Sequence, residues 1–227
     1  AEYWDRPGAF ARECVRWPRG KGPTDYQIEI LDEVPTSQRL AVRSPHGAGK
    51  TTTAALLVLW FALTRDGKDW KVVTTASVWR QLSKFLWPEI RKWARLLDWS
   101  RIGREPFADG RELLTLQLKL STGEAFAVAS DQPSSIEGAH ADHLLYVYDE
   151  AKAIPAETYD ATEGAFSGAG DDASALAFAL AISTPGEPQG RFYQIHKRDA
   201  GYEDWATRHI TLEDPIAAGR ISRSWAE

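Results

Sequence analysis

Short apolar runs that end in polar or glycine-rich residues alternate along the chain with longer stretches whose apolar positions recur every three or four residues. Runs of the first kind read as buried strands, and stretches of the second as helices with one face on a core. Leu40-Ala41-Val42 is such a run, followed by a glycine-rich turn and a helix-forming stretch from Thr51 to Thr64. Val72 to Thr75 is a second strand. Trp79, Leu82, Leu86, Ile90, Trp93 and Leu97 then recur along a predicted helix of about five turns, a stripe read as core packing. Leu113 to Leu120 and Glu124 to Ala129 flank Ser121-Thr122-Gly123, which predicts a β-hairpin, an antiparallel insertion at a sheet edge. Leu144 to Tyr148 and Leu176 to Ile182 are almost continuously apolar, as central strands of a parallel sheet covered on both faces must be. The predicted fold class is α/β, a central mostly parallel sheet flanked by helices with a β-hairpin insertion. Its ligand crevice is expected beyond the carboxyl ends of the strands.

A length of 227 residues suits one such domain, which can bury roughly 70 to 75% of the surface of its unfolded chain. The one cysteine, Cys14, forms no internal disulfide, and the first residues lack the pattern of a secretory signal, so a reducing, cytosolic setting is expected. The longest apolar stretch, Ala54 to Leu63, is half of what a membrane span requires. A net charge of -5 excludes a wholly basic nucleic-acid wrapper but leaves room for a local basic patch. Residues 1–25 hold Pro7, Gly8, Pro18, Gly20, Gly22 and Pro23 with five positive charges and read as an irregular arm. Trp79-Arg80, Trp87 with Arg91 and Trp93 with Arg95 set rings beside cations, as single-strand binding would want, but their helical spacing assigns the rings to the core.

Two segments carry chemistry. Ser44-Pro45-His46-Gly47-Ala48-Gly49-Lys50-Thr51 matches G-x-x-x-x-G-K-[ST], the Walker A pattern, except that serine holds the first glycine position. Glycines let successive N–H groups turn inward as an anion nest, the helix that follows adds its positive dipole end, and a lysine reaches the terminal phosphates. Pro45, His46, Gly47, Ala48, Gly49, Lys50, Thr51 and Thr52 are thus the expected ATP-binding loop, with the Thr51 hydroxyl on magnesium. Downstream, His143-Leu144-Leu145-Tyr146-Val147-Tyr148-Asp149-Glu150 is an apolar strand ending in two acids, a Walker B arrangement. Such a pair sets one carboxylate near the metal and the next near the attacking water. Asp149 is assigned to magnesium, and Glu150 is the general base or water-orienting residue, catalytic together with Lys50. About 100 residues separate Lys50 from Asp149, room for the chain to return beside the first strand.

From about Tyr26 to Pro215 these motifs, in this order, resemble the large terminase subunit of tailed double-stranded DNA viruses, the ATPase that drives genome packaging. Tyr26-Gln27 lies where that family has an adenine-contacting glutamine, Ser183-Thr184-Pro185 stands as its coupling motif does, and Gly190-Arg191-Phe192-Tyr193 continues it. The resemblance implies a P-loop NTPase fold of RecA-like (ASCE) type and adds Tyr26 and Gln27 to the ATP-binding set. It also implies that Ser183 and Thr184 sense the γ-phosphate state. Its implied partners are double-stranded DNA gripped through the backbone without sequence preference, a portal protein, a small terminase subunit and further copies in a ring, with no membrane. The implied location is the cytoplasm of an infected bacterium, transiently on the procapsid portal.

Two positions depart from the family. His46 stands where the loop often carries arginine, and Glu137-Gly138 where an arginine finger often precedes glycine. Arg43, Arg101, Arg104 and Arg111 are the remaining candidates for a finger. The expected organisation is an arm over 1–25, the P-loop ATPase domain over 26–215, and over 216–227 the start of a linker to a nuclease domain. Asp199, Glu203, Asp204, Glu213 and Asp214 lie within the last 30 residues, too short a stretch to build a nuclease fold, so DNA cleavage is not expected. A cellular helicase or repair ATPase is the alternative, for which a second motor domain would be expected. A nucleotide-gated binding module without turnover is another, which would have no need of Glu150.

Overall fold

The structure, a computed structural model, describes residues 2–18, 20–131, 133–168 and 176–226. Its strands are β1 (Arg39–Arg43), β2 (Trp70–Ala76), β3 (Gln117–Lys119), β4 (Gly123–Ala129), β5 (His143–Asp149), β6 (Leu176–Ser183) and β7 (Ala206–His209). They form one sheet in the order β3-β4-β2-β5-β6-β1-β7, every pair parallel except β3 with β4. The α-helices are α1 (Pro7–Glu13), α2 (Asp25–Ser37), α3 (Lys50–Arg65), α4 (Trp79–Gln81), α5 (Trp87–Arg95), α6 (Trp99–Ile102), α7 (Pro133–Glu137), α8 (Ala156–Gly168), α9 (Gly190–Lys197), α10 (Glu213–Ala217) and α11 (Arg223–Ala226).

Alternation along the strands divides the core in two. Leu40 and Val42 of β1, with Leu145 and Val147 of β5, face a layer built from α1, α2, α3 and α5. Ala41, Leu144, Tyr146 and Tyr148 face residues of α7, α8 and α9 on the other side. A strand covered on both faces must be apolar at every position, which is why β5 and β6 showed no alternation in the sequence.

Four expectations change. First, β5 does not lie beside β1; β6 separates them, so the strand ending in Ser183 lies between the phosphate loop and the acid pair. Second, the hairpin exists, with β3 at the edge, but β4 is a full member of the sheet, running parallel to β2 over seven residues. Third, the predicted long helix is α4, a π-helical turn over Leu82–Leu86, and α5. One residue inserted into an α-helix rotates what precedes it by about 100°. Leu82, Leu86, Ile90, Trp93 and Leu97 are therefore buried while Trp79 is exposed.

Fourth, the described residues before α2 do not form an irregular arm. Phe10, Ala11 and Cys14 are buried as α1 packs on α2 and α3. Arg65, the last residue of α3, fastens this segment: it is fully buried, donates to the Trp4 carbonyl at 2.8 Å and lies over the rings of Trp4, Trp60 and Phe61. Cation–π contact compensates part of the desolvation that pushes the Arg65 pKa down to about 10. The chain after Ala217 also turns back onto the fold, where Arg220 donates to the Gly22 carbonyl at 2.6 Å.

Candidate nucleotide site

The turn after β1 has the backbone of a phosphate cradle. Gly47 and Gly49 have φ of 79° and 82°, a region that costs any side-chain-bearing residue about 1 kcal/mol or more. A Cβ on Gly49 would also lie 2.8 Å from Nε2 of Gln27. Ser44, at the first glycine position of the pattern, is absent from the positive-φ residues, so serine fits without strain. Its N–H extends the β1–β6 ladder to the Ser183 carbonyl at 3.0 Å. Gly49 caps α3 without a side chain, so the first amides of a sixteen-residue helix point into the cleft with no capping oxygen. His46 is exposed at the mouth.

Tyr26 and Gln27 both grip this loop from α2. The Tyr26 hydroxyl donates to the Ala48 carbonyl at 2.9 Å. Gln27 is 2% exposed; its Oε1 accepts from the Thr24 N–H at 3.1 Å, and its Nε2 donates to the Gly49 carbonyl at 3.3 Å and to Thr53 Oγ1 at 3.2 Å. The amide is thus engaged by the capping box of α2 and by the loop. Its edge also borders a cleft with Trp17, Lys92, Trp93 and Arg220. Lys50 folds back and donates to the Pro45 carbonyl at 3.0 Å; burial lowers its pKa, opposed by Glu150 and Asp149. Thr52 donates to Glu89 of α5 at 2.8 Å.

Across β6 from this loop, β5 ends in the two acids. Asp149 is 1% exposed, and its Oδ2 accepts from Nε2 of Gln81 at 2.9 Å. Burial raises its pKa to about 6, the Gln81 hydrogen bond opposing and the Glu150 charge adding. Glu150 sits at φ 51°, ψ 48°, a left-handed conformation that aims its carboxylate back over β6. There Ser183 Oγ donates to Oε2 at 3.2 Å, and Thr184 Oγ1 lies 3.5 Å from the same oxygen. Lys152 Nζ donates to Thr184 Oγ1 at 2.8 Å and to the Pro185 carbonyl at 3.2 Å. The register explains the meeting: Asp149 pairs with Ile182 and Arg43 with Ser183, so three strand ends converge. Lys50, Thr51 and Glu150 line one open cleft.

The candidate arginines do not converge in the same way. Arg101 is bound by Glu13 and Tyr3, and the Tyr3 carbonyl is held by Trp60, ten residues along α3 from Lys50, about 15 Å of helix. Arg104 pairs with Glu112 and Asp66, beyond the opposite end of α3 from the loop. Arg43 lies behind the loop with a terminal nitrogen 3.2 Å from His209 Nδ1, and Arg111 is exposed. Among the described residues, no hydrogen bond or ion pair joins any of the four to the loop side chains or the acid pair. Gln81, Lys152 and Thr53 were not singled out from the sequence. Their contacts cross from one strand or helix to another and leave no local signature, although the lysine two places after the acid pair was visible.

The residues present suit ATP with magnesium. The loop supplies a helix N-terminus that no side chain caps and a lysine, and Thr51 and Asp149 offer two oxygens. No group of three His, Cys, Asp or Glu able to hold a metal alone occurs among the described residues. Magnesium commonly takes one or two protein oxygens beside the phosphates. An uncompensated buried carboxylate has a testable cost. The folded pKa of Asp149 is raised, so its contribution is unpenalised below the unfolded value near 3.8 and is lost as pH rises through about 6. Asp149→Asn, which keeps an acceptor for Gln81, is expected to stabilise the metal-free protein by on the order of 3 kcal/mol at pH 8 and hardly at all at pH 4. Urea unfolding of both proteins at the two pH values checks this; equal stabilisation at both would assign the gain to something other than the carboxylate.

Strand order and the glycine turn between β1 and α3 give the chain a P-loop NTPase fold. No family model matches the sequence. It is 28% identical over 250 residues to the probable large terminase subunit of Enterobacteria phage P7, spanning 95% of this chain and 48% of that protein. The fold is similar to the large terminase ATPase domain of Thermus phage P74-26, with a TM-score of 0.59 and 17% identity over 89% of this chain and 90% of that one. It is likewise similar to the HK97 bacteriophage large terminase (TM-score 0.61, 17% identity, 91% of this chain and 43% of that one). A large terminase from a thermophilic bacteriophage, solved in complex with ADP, gives 0.60 and 14% identity over 88% of this chain and 48% of that one. The chain spans about half the length of the P7 relative.

Proposed function

We propose that this chain is the ATPase motor domain of a phage large terminase, hydrolysing ATP with magnesium to drive duplex DNA into a procapsid. The observation that carries this reading is the placement of Glu150: its carboxylate is held by the hydroxyl of Ser183, on the one strand that separates the acids from the phosphate loop. A protein that only bound nucleotide would have no use for a second, oriented carboxylate in that place.

In this reading the amides of Gly47 to Thr51 hold the phosphates, and Lys50 exchanges the Pro45 carbonyl for phosphate oxygens. Thr51 and Asp149 would hold magnesium, which would supply neutralisation of the phosphate charge. Glu150 orients a water towards the γ-phosphorus and takes its proton as the P–O bond to ADP breaks. Ser183 and Thr184 hold the base until the γ-phosphate is gained or lost. Lys152, two residues beyond the acid pair, binds Thr184 and the Pro185 carbonyl at the start of the loop before α9, and so passes that state outward. Tyr26 and Gln27 border the base side, and a finger arginine comes from a neighbouring copy in an assembled ring. A portal protein and a small terminase subunit follow from the same resemblance, as does the cytoplasm of the infected cell. No described helix is long and apolar enough to cross a membrane.

The test is phosphate release from ATP and magnesium with and without duplex DNA at low salt. Stimulation by duplex of about threefold or more is expected, and it should fade as salt displaces backbone contacts. Turnover indifferent to DNA would reduce the reading to an ATPase of another purpose.

A further inference from the structure

Of the large apolar side chains that stand exposed among the described residues, three crowd into eight positions: Val78 (59% exposed), Trp79 (47%) and Phe85 (50%). Arg80 and Lys84, between them in sequence, are exposed, and no described ion pair engages either. From Trp70 to Pro88 the chain has no acidic residue and three cations, in a protein of net charge -5. The segment leaves the carboxyl end of β2, on the same sheet edge as the nucleotide cleft, which Lys84 and Phe85 border. It is well seated: Leu82, Leu86 and Trp87 are fully buried, and Trp87 donates to Thr74 Oγ1 at 3.0 Å. Exposure of Trp79 is therefore a consequence of the π-helical turn and not of fraying; such turns recur at functional sites.

We propose that Trp79 and Arg80, with Val78 and Lys84, form a contact surface for the backbone of duplex DNA, and that Gln81 ties this surface to Asp149. Arg80 and Lys84 meet phosphates, and the Trp79 ring packs on the sugar edge of a groove, where an amphipathic ring loses little entropy. Within the segment the charge is basic only, and Glu89, which follows it on the cleft, is already bound by Lys92 and Thr52, so the surface favours a polyanion over a second copy of a chain that is itself acidic. Gln81 lies one residue from the contact and donates to Asp149 at 2.9 Å. A shift of this short turn on DNA therefore reaches the metal-side carboxylate directly, and a change at Asp149 reaches the DNA surface by the same route. The proposal rests on the duplex-translocation reading and names the surface that reading lacked.

The test is binding of a labelled duplex, without nucleotide, across a salt series. Arg80→Ala is expected to weaken binding and to reduce the slope of log K against log salt by about 1. Trp79→Ala should weaken binding about tenfold at low salt with the slope unchanged. Both should keep the turnover measured without DNA. In Gln81→Ala, duplex affinity should survive while the stimulation of turnover by duplex falls to about one. Wild-type affinity in Trp79→Ala and Arg80→Ala, or a change only in their oligomeric state, would overturn the DNA surface. Undiminished stimulation in Gln81→Ala would overturn the link. Binding is read without hydrolysis, so a chain that binds duplex through these residues but never turns over ATP would sink the ATPase reading and leave this one standing.

Discussion

Lys50→Ala is expected to weaken binding of ATP with magnesium by about 100-fold or more, which isothermal titration or a fluorescent analogue will read. The amine is nearly buried and has the Pro45 carbonyl as its hydrogen-bond acceptor in the structure. Burial lowers its pKa while Glu150 and Asp149 pull the other way, so the charge is poorly compensated until an anion arrives. A charged hydrogen bond to phosphate is worth about 1.5–3 kcal/mol, and 3 kcal/mol is roughly the 100-fold loss. The variant should fold normally, because alanine removes a desolvated charge and leaves only one carbonyl at the mouth of the loop to be hydrated. Retained affinity would mean that the loop amides alone hold the nucleotide.

Glu150→Gln should show the opposite pattern, with affinity within about threefold of wild type and turnover lower by a factor of about 10² to 10⁴, the usual worth of a positioned general base. Glutamine keeps the shape, and its carbonyl oxygen can still accept from Ser183, so the coupling hydroxyls stay in place. What is lost is the capacity to take a proton from water. The left-handed backbone at this position tolerates glutamine as it does glutamate, so unfolding should not confuse the result. If Glu150→Gln lost binding as fully as Lys50→Ala, the division of labour between the two residues would be wrong.

Local signals carried much of this site in the sequence. A strand, a glycine turn and a helix are consecutive in the chain, so β1, the loop and α3 were legible to within a residue or so, as were β5 and its two acids. Pairing between distant strands has no such signal. The insertion of β6 between β1 and β5 therefore came only from the structure, and with it the reason Ser183 reaches Glu150. The same limit hid Gln81, which meets Asp149 across 68 residues of chain, and Lys152, which meets Thr184 across 32. Trp79 was misplaced because a 3.6-residue period was carried through a turn that is π-helical. The first 25 residues misled because proline and glycine marked the boundaries of a short helix whose buried face is only Phe10, Ala11 and their neighbours. Gln27 was placed beside a base by resemblance, and its bond to the Gly49 carbonyl, 22 residues along the chain, came only from the structure.

The most direct measurement is phosphate release from ATP and magnesium by the wild-type chain and by Glu150→Gln, with bound nucleotide followed in the same samples. The expected result is nucleotide bound by both proteins and phosphate released by the wild type alone. Equal release from the two would contradict the role given to Glu150, and nucleotide bound by neither would return Gly47 to Thr51 to the standing of a turn between a strand and a helix.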